Sequence, residues 1–266
     1  MFVVTLGDLL LDVIVRLGEP LATGADANAD TLAAPGGQAA NVAAWVVALG
    51  GRARCVVRRG DDLAGALLAG ELESRGVELV GPAAGRTGAV VSLVTADGER
   101  TLASDRGTAT LLEPSDLDPG WFACDCLHIS GYALLASPID AAAIRAAELA
   151  RTNDARVSVD LSAWTRIRRS DNFRDQVAAL DPDVVFGNEV EWDELGAVGE
   201  TRVVKRGAGG FDVVRADGIE RCQARGTSVV DTTGAGDALA AGFLVGGPEL
   251  ALEAAERSIA QVGAMP

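Results

Sequence analysis

The 266-residue chain predicts an α/β fold built on a doubly wound, mostly parallel sheet with a small β-strand lid. Three observations predict it. From Cys126 onward, short apolar runs of strand length alternate with alanine-rich or amphipathic helical stretches, the rhythm of βαβ units. Glycine-rich segments lead directly into helices around Gly36-Gly37 and Gly234-Ala235-Gly236, where open sheets meet their ligands. Asp97-Gly98, set between two β-rich runs, signals a hairpin inside this otherwise parallel pattern. No repeat, low-complexity segment or linker divides the sequence, so residues 1–266 are expected to form one domain.

Residues 2–6 are an apolar run ending at Gly7-Asp8, as a buried parallel strand would. Asp12 lies just past that end and is a candidate for holding substrate hydroxyls. Residues 13–34 are irregular and rich in Ala, Asp and Gly, and read as a strand and loop peripheral to the main sheet. Gly36-Gly37-Gln38-Ala39-Ala40-Asn41 then runs into an apolar helix over 42–49. Its glycines permit close backbone approach to a ligand, and Asn41 can both donate and accept. Residues 53–58 predict a strand. Residues 61–74 predict an amphipathic helix with Leu63, Leu67, Leu68 and Leu72 on one face. The hairpin joins 87–95 to 99–103 through Ala96-Asp97-Gly98. With residues 13–34 it makes the expected lid, about 13–34 and 87–104.

Further on, strands are predicted at 126–130, 156–161 and 184–186, with helices at 138–151 and 171–180 between them. Asn188-Glu189-Val190-Glu191 opens a helix directly after the last of these strands. Its two carboxylates can organise a hydrated magnesium ion through water, or simply complement a helix dipole. A strand at 201–205 leads to Gly207-Ala208-Gly209-Gly210, a loop that is either a plain turn or a place for a flat base or phosphate tail. Strands at 211–215 and 219–224 follow, and a helix over 249–262 comes near the end.

The stretch Asp231-Thr232-Thr233-Gly234-Ala235-Gly236-Asp237 carries the most chemistry. Asp231, Thr232 and Thr233 are N-cap types ahead of an apolar helix. The glycines let backbone N–H groups turn outward at the positive end of the helix dipole, which makes an anion site. A carboxylate beside an anion site repels a bound phosphate. Asp237 is therefore read as a general base taking a proton from a hydroxyl that attacks a phosphoryl group. The bland alternative is a glycine-rich helix entry with an acidic first turn.

A net charge of −15 disfavours nucleic acid as a partner. Lys205 is the single lysine and does not stand in a Gly-Lys-Ser/Thr context, which excludes a Walker-type P-loop. Cys124 and Cys126 form a lone close pair without a second pair at zinc-site spacing, so the cysteines are expected to be reduced thiols. The N-terminus has no basic segment followed by an apolar core, and no apolar run is long enough for a membrane span. A cytoplasmic location is the expectation.

Taken in order, the segments at Gly36 to Asn41, Asn188 to Glu191 and Asp231 to Asp237 closely resemble the ribokinase-like (phosphofructokinase-B) family of carbohydrate kinases. The resemblance covers nearly the whole chain and implies a three-layer α/β/α fold. It also implies ATP-dependent phosphorylation of a hydroxyl, read as a primary one, on a small sugar or sugar derivative, with ATP and Mg2+ as cofactors. Asp237 matches the catalytic base, and Gly234, Ala235 and Gly236 match the anion hole. Asp12, Gly36, Gly37 and Asn41 match sugar-binding positions. Asn188 and Glu191 match the motif that organises magnesium and phosphate, and Lys205, Gly207 and Gly210 match the nucleotide loop. Asp231 and Thr233 match a monovalent-cation site, K+ in many members. The lid implies a homodimer contact. Gln38 stands where several relatives have lysine, and Gly131 near where some have an acidic sugar contact. A family terminal helix beyond 249–262 is expected to be absent. Arg100 and Arg106, on the lid, are candidates to meet a sugar-acid carboxylate or to be plain surface residues.

Two readings of the same scaffold stay open, a nucleoside kinase and a non-catalytic sugar-binding regulator. A dinucleotide-binding oxidoreductase needs Gly-x-Gly-x-x-Gly after the first strand, which Gly7-Asp8-Leu9-Leu10 does not supply.

Overall fold

In a computed structural model of the chain, the described residues are 1–96, 99–162, 164–196, 198–226 and 228–266. The strands are β1 (Phe2–Gly7), β2 (Leu10–Leu17), β3 (Ala29–Gly36), β4 (Arg52–Val57), β5 (Glu78–Val80), β6 (Thr87–Val94) and β7 (Arg100–Gly107). They continue with β8 (Cys126–Ser130), β9 (Arg156–Asp160), β10 (Val184–Asn188), β11 (Thr201–Lys205), β12 (Phe211–Arg215) and β13 (Gly218–Cys222). The α-helices are α1 (Gln38–Ala48), α2 (Leu63–Ser74), α3 (Ile139–Arg151), α4 (Trp164–Ile167), α5 (Phe173–Ala179), α6 (Glu189–Leu195), α7 (Ala235–Gly246) and α8 (Pro248–Ile259).

The main sheet has the order β13-β12-β11-β10-β9-β8-β1-β4-β5. From β11 to β5 every neighbouring pair is parallel, while β12 and β13 return antiparallel. Alternation along β1 shows the layering. Val3 joins a core with Trp45, Phe186, Ala240 and Ala254, under α1, α7 and α8. Val4 and Leu6 point the other way, into a core with Ile129, Ala143, Ala146 and Phe173, under α3 and α5. Burial on both faces is why these strands read as unbroken apolar runs. Helices α1 and α7 present buried alanines at 39, 40, 43, 44, 238, 240 and 241, so their backbones can lie close to the sheet and to each other. The Trp45 indole donates to the Ala264 carbonyl at 2.8 Å and ties the C-terminal segment to α1.

A second sheet, ordered β3-β2-β6-β7, is the lid. Residues 13–34 are more regular than their sequence implies. β2 and β3 pair antiparallel from Leu10↔Gly36 to Leu17↔Ala29, and β2 lies parallel to β6. β3 is exposed over most of its length and offers no apolar alternation to read. Asp12 consequently sits inside β2, on the lid, and not past the end of β1. β6 and β7 form the expected hairpin. Asp97 and Gly98 of its turn lie outside the described residues, and the flanking Thr95 amide donates to Glu99 O at 3.0 Å.

Helix α2 corrects another expectation. Leu68 and Leu72 are buried, whereas Leu63 and Leu67 are 78% and 65% exposed. The two pairs lie on stripes about 140° apart around the helix, and only one stripe meets the core. Asp62 caps α2 by accepting from Gly65 N at 2.8 Å and also accepts from Thr87 N at 2.8 Å. The Thr87 hydroxyl donates to the same carboxylate, so one side chain joins the helix to the first residue of β6. No helix among the described residues is long and apolar enough to cross a membrane.

Candidate active site

The site forms where the C-terminal ends of β1, β9 and β11 meet the N-termini of α1 and α7. Gly37 precedes α1 at φ 99, and a Cβ there would lie 2.5 Å from the carbonyl oxygen of Asp8. Only glycine combines that torsion with that approach. A side chain at Gly36 would overlap the Asp12 carboxylate, so Asp12 of the lid lies directly against this entry. Within the first turn of α1, Asn41 Nδ2 donates to Asp237 Oδ2 at 2.7 Å. Asn41 Oδ1 is buried without a hydrogen-bond partner among the described residues, which leaves an unused acceptor on the residue that holds Asp237.

Helix α7 starts behind Gly234, which is left-handed at φ 76, and no side chain caps it. The N-cap roles expected of the residues before it are therefore not observed. Asp231 Oδ1 instead accepts from the Thr233 amide at 2.9 Å and hydroxyl at 2.7 Å, and Oδ2 accepts from Gly263 N at 3.1 Å. These bonds brace the loop against the C-terminal segment. Among the described residues the positive end of α7 has no side-chain cap, so its amides are placed to meet an anion. Asp237, in the first turn, is only partly buried by its accessible surface. Burial among protein atoms nonetheless pushes its carboxyl up to about 7, while the bond from Asn41 acts to hold it down. A carboxylate titrating there is suited to general-base work near neutrality.

Lys205 Nζ donates to both oxygens of Asp160, at 2.8 Å each. Asp160 is 0% exposed. Burial acts to lower the Lys205 pKa, but Asp160, Glu191 and Asp237 together raise it above the usual lysine value. Asn188 and Glu191 are engaged with each other. Asn188 Oδ1 accepts from Glu191 N at 2.9 Å and Glu191 Oε2 accepts from Asn188 N at 2.8 Å, a reciprocal cap on α6. Burial raises the Glu191 carboxyl. Neither residue lines the two cavities described next.

A groove of ≈ 580 Å³ runs between the lid and the loop before α7, with Asp12, Ile14, Val90, Leu102, Val230 and Thr233 among its walls. A second cavity, of ≈ 400 Å³, has an apolar wall from Val229, Leu252, Ala255 and Ile259. At its other end stand Lys205, Gly207, Gly210, Ala235 and Gly236. The two cavities share Val229 and Thr232 and therefore meet beside the N-terminus of α7.

Sequence reasoning missed the polar group on the lid side. Arg106, from β7, makes an ion pair with the buried Asp8 and stacks over the Tyr132 ring at 3.8 Å. Arg106 is thus neither a surface residue nor a free cation; the Arg100 side chain lies outside the described residues. Asp160 was missed as well, although an aspartate closing a parallel strand was a readable signal. Gln38 accepts from the Ser162 hydroxyl at 2.8 Å. Gly131 stands where a Cβ would lie 2.4 Å from the Asp160 backbone oxygen. That crowding explains why no acidic contact can occupy position 131.

A family model described as pfkB family carbohydrate kinase matches residues 2–256. The ATP-dependent ribose-1-phosphate kinase of Halopiger xanaduensis is 33% identical over 258 residues, 91% of this chain and 83% of that protein. The crystal structure of adenosine kinase from Sinorhizobium meliloti superposes with a TM-score of 0.88 at 28% identity, covering 99% of this chain and 95% of that one. A putative ribokinase II from E. coli shares the fold, with a TM-score of 0.89 at 20% identity over 99% and 94% of the two chains. With its α/β/α layers, lid and glycine-led helix entries, the chain belongs to the pfkB family of carbohydrate kinases.

Proposed function

We propose that this kinase transfers the γ-phosphoryl group of ATP to a hydroxyl, a primary one, of a small sugar or sugar derivative. The observation that carries the reading is the Asn41–Asp237 hydrogen bond at the uncapped start of α7. Asp237 accepts the proton of the attacking hydroxyl. The amides of Gly234, Ala235 and Gly236 stabilise the negative charge that develops on the phosphoryl oxygens. Asn41 holds Asp237 in place with its Nδ2 and offers the buried Oδ1 to a substrate hydroxyl. Asp12, over Gly36 and Gly37, binds a further hydroxyl from the lid side. Closure of the lid excludes water and limits hydrolysis of the nucleotide.

The ≈ 400 Å³ cavity fits a nucleotide, with its apolar wall against the base, Gly207 and Gly210 along the ribose and phosphates, and Lys205 at the phosphate end. Glu191 would hold Mg2+ through water. Among the described residues no three carboxylate, histidine or cysteine side chains converge on one point, so phosphate oxygens and water would complete the ion's shell. Bound there, Mg2+ supplies charge neutralisation. Asp231 and Thr233 are the proposed monovalent-cation residues, and the lid sheet is the proposed homodimer contact.

A coupled ADP-release assay with ATP, magnesium and a panel of pentoses, hexoses, sugar phosphates, sugar acids and nucleosides tests this. Turnover with one class, absent in Asp237→Asn, is expected. Turnover that survives Asp237→Asn at the wild-type rate would sink the assignment. A nucleoside acceptor is the second reading, because Ile14, Val90, Val94, Leu102 and Val230 give the groove beside Asp12 an aliphatic wall that a bare sugar would leave wet.

A further inference from the structure

We propose that Lys205 is a catalytic residue that touches the transferring phosphoryl group through the floor of the anion hole, and that Asp160 is the positioning residue that holds it there. The inference rests on the kinase reading above. Three observations carry it.

The first is proximity. A Cβ built on Gly236 would lie 3.3 Å from Lys205 Nζ and 3.8 Å from its Cδ, so the ammonium sits against the first turn of α7. The same two residues face one cavity, beside Ala235 and Thr232. The second is donor accounting. An ammonium has three N–H donors, and the bonds to Asp160 use two. The third donor remains for an anion at the helix start. The third is energetic. Asp160 is 0% exposed, and Lys205 is its hydrogen-bonding partner for both side-chain oxygens. A buried ion pair with so few supporting bonds adds little stability, and an uncharged pair of the same volume would serve the fold as well. What the pair supplies is a cation in a fixed place. Glu191 and Asp237 add further negative charge around it, which keeps the amine protonated.

Lys205 exchanges no proton and forms no covalent bond in this scheme. The proton passes from the acceptor hydroxyl to Asp237, the new P–O bond forms on the acceptor, and ADP leaves. Lys205 offsets charge on the phosphoryl oxygens as that exchange proceeds.

The test needs no knowledge of the acceptor. Calorimetry would measure the affinities of the magnesium complexes of ADP and of a non-hydrolysable imido analogue of ATP. The proteins compared would be the unaltered chain, the neutral double variant Asp160→Asn with Lys205→Gln, and Asp160→Glu. The double variant is expected to melt with the unaltered protein and to bind ADP within about threefold of it. Its preference for the triphosphate over the diphosphate should fall roughly tenfold, the worth of one charge-assisted hydrogen bond. Asp160→Glu should recover part of that preference. If the pair only supports the sheet, both affinities fall together and their ratio stays put, which overturns this inference and leaves the kinase reading intact. An unaltered protein that binds neither nucleotide overturns both.

Discussion

Asp237 is a base only while it is ionised. With its carboxyl pushed up to about 7 by burial, kcat should fall as pH drops through 7, and a pH–rate profile would show that acid limb. Asn41 acts in the opposite sense, since its hydrogen bond lowers the same pKa. Asn41→Ala should therefore move the limb to higher pH as well as slow the reaction. An unmoved limb would mean the bond does not tune the base. Asp237→Asn should lower kcat by about 10² to 10⁴, the usual range for a lost general base, with nucleotide affinity largely kept. The same residue bears on stability. A carboxyl whose folded pKa lies above its unfolded value favours the folded state at low pH and loses that contribution as pH rises through the folded pKa. Asp237→Asn should thus stabilise the protein at pH 8, by about 1–2 kcal/mol after allowance for its partial exposure, and make no difference near pH 3. Thermal melts at the two pH values would settle it.

At the level of elements, the lid is attached by two small clusters. Asp62 joins α2 to β6 through Gly65 and Thr87, and the Thr87 hydroxyl holds its carboxyl down to about 2. Asp62→Ala should lower the melting temperature and speed hydrogen exchange along β6 more than along β1. Equal change in both strands would argue against a local anchor. The second cluster is Arg106 with Asp8 and Tyr132. Arg106→Met would leave the Asp8 carboxylate buried and unpaired, at a cost of about 3–5 kcal/mol. Asp8→Asn in addition should recover most of that loss in denaturant unfolding.

The elements also show what could be read in advance. Parallel strands announced themselves because burial on both faces demands apolar runs, as in β1 and β8. Glycine-led helix entries were equally visible, since Gly37 and Gly234 hold torsions and close approaches that other residues resist. The strand β3 was not legible, because an exposed strand has no buried face to impress a pattern on its residues. Nor was the meeting of Asn41 with Asp237, which lie 196 positions apart. Spacing along a chain carries no record of such a contact, and only the resemblance put both residues in one site. The Asp160–Lys205 and Asp8–Arg106 pairs were hidden for the same reason.

Across the whole molecule, the central strands carry a polar row within the sheet. Thr5, His128 and Ser158 stand side by side in register on β1, β8 and β9, and His128 Nδ1 lies 2.9 Å from Ser158 Oγ. Burial pushes the histidine down to about 4. Its contribution to stability is present above the unfolded value of 6.5 and is lost as pH falls toward 4, so acid unfolding should begin there and be blunted in His128→Asn. Charge is distributed unevenly too. Against a net charge of −15, the chain has one lysine, and its ammonium is clamped by a fully buried carboxylate beside the anion hole. Lys205 thus carries the one side-chain primary amine of this sequence. An acylating or reductively alkylating reagent therefore meets a side-chain amine that lies inside the site. The extent of modification at Lys205, read by mass spectrometry against an added peptide amine as reference, becomes a gauge of how often that interior is open.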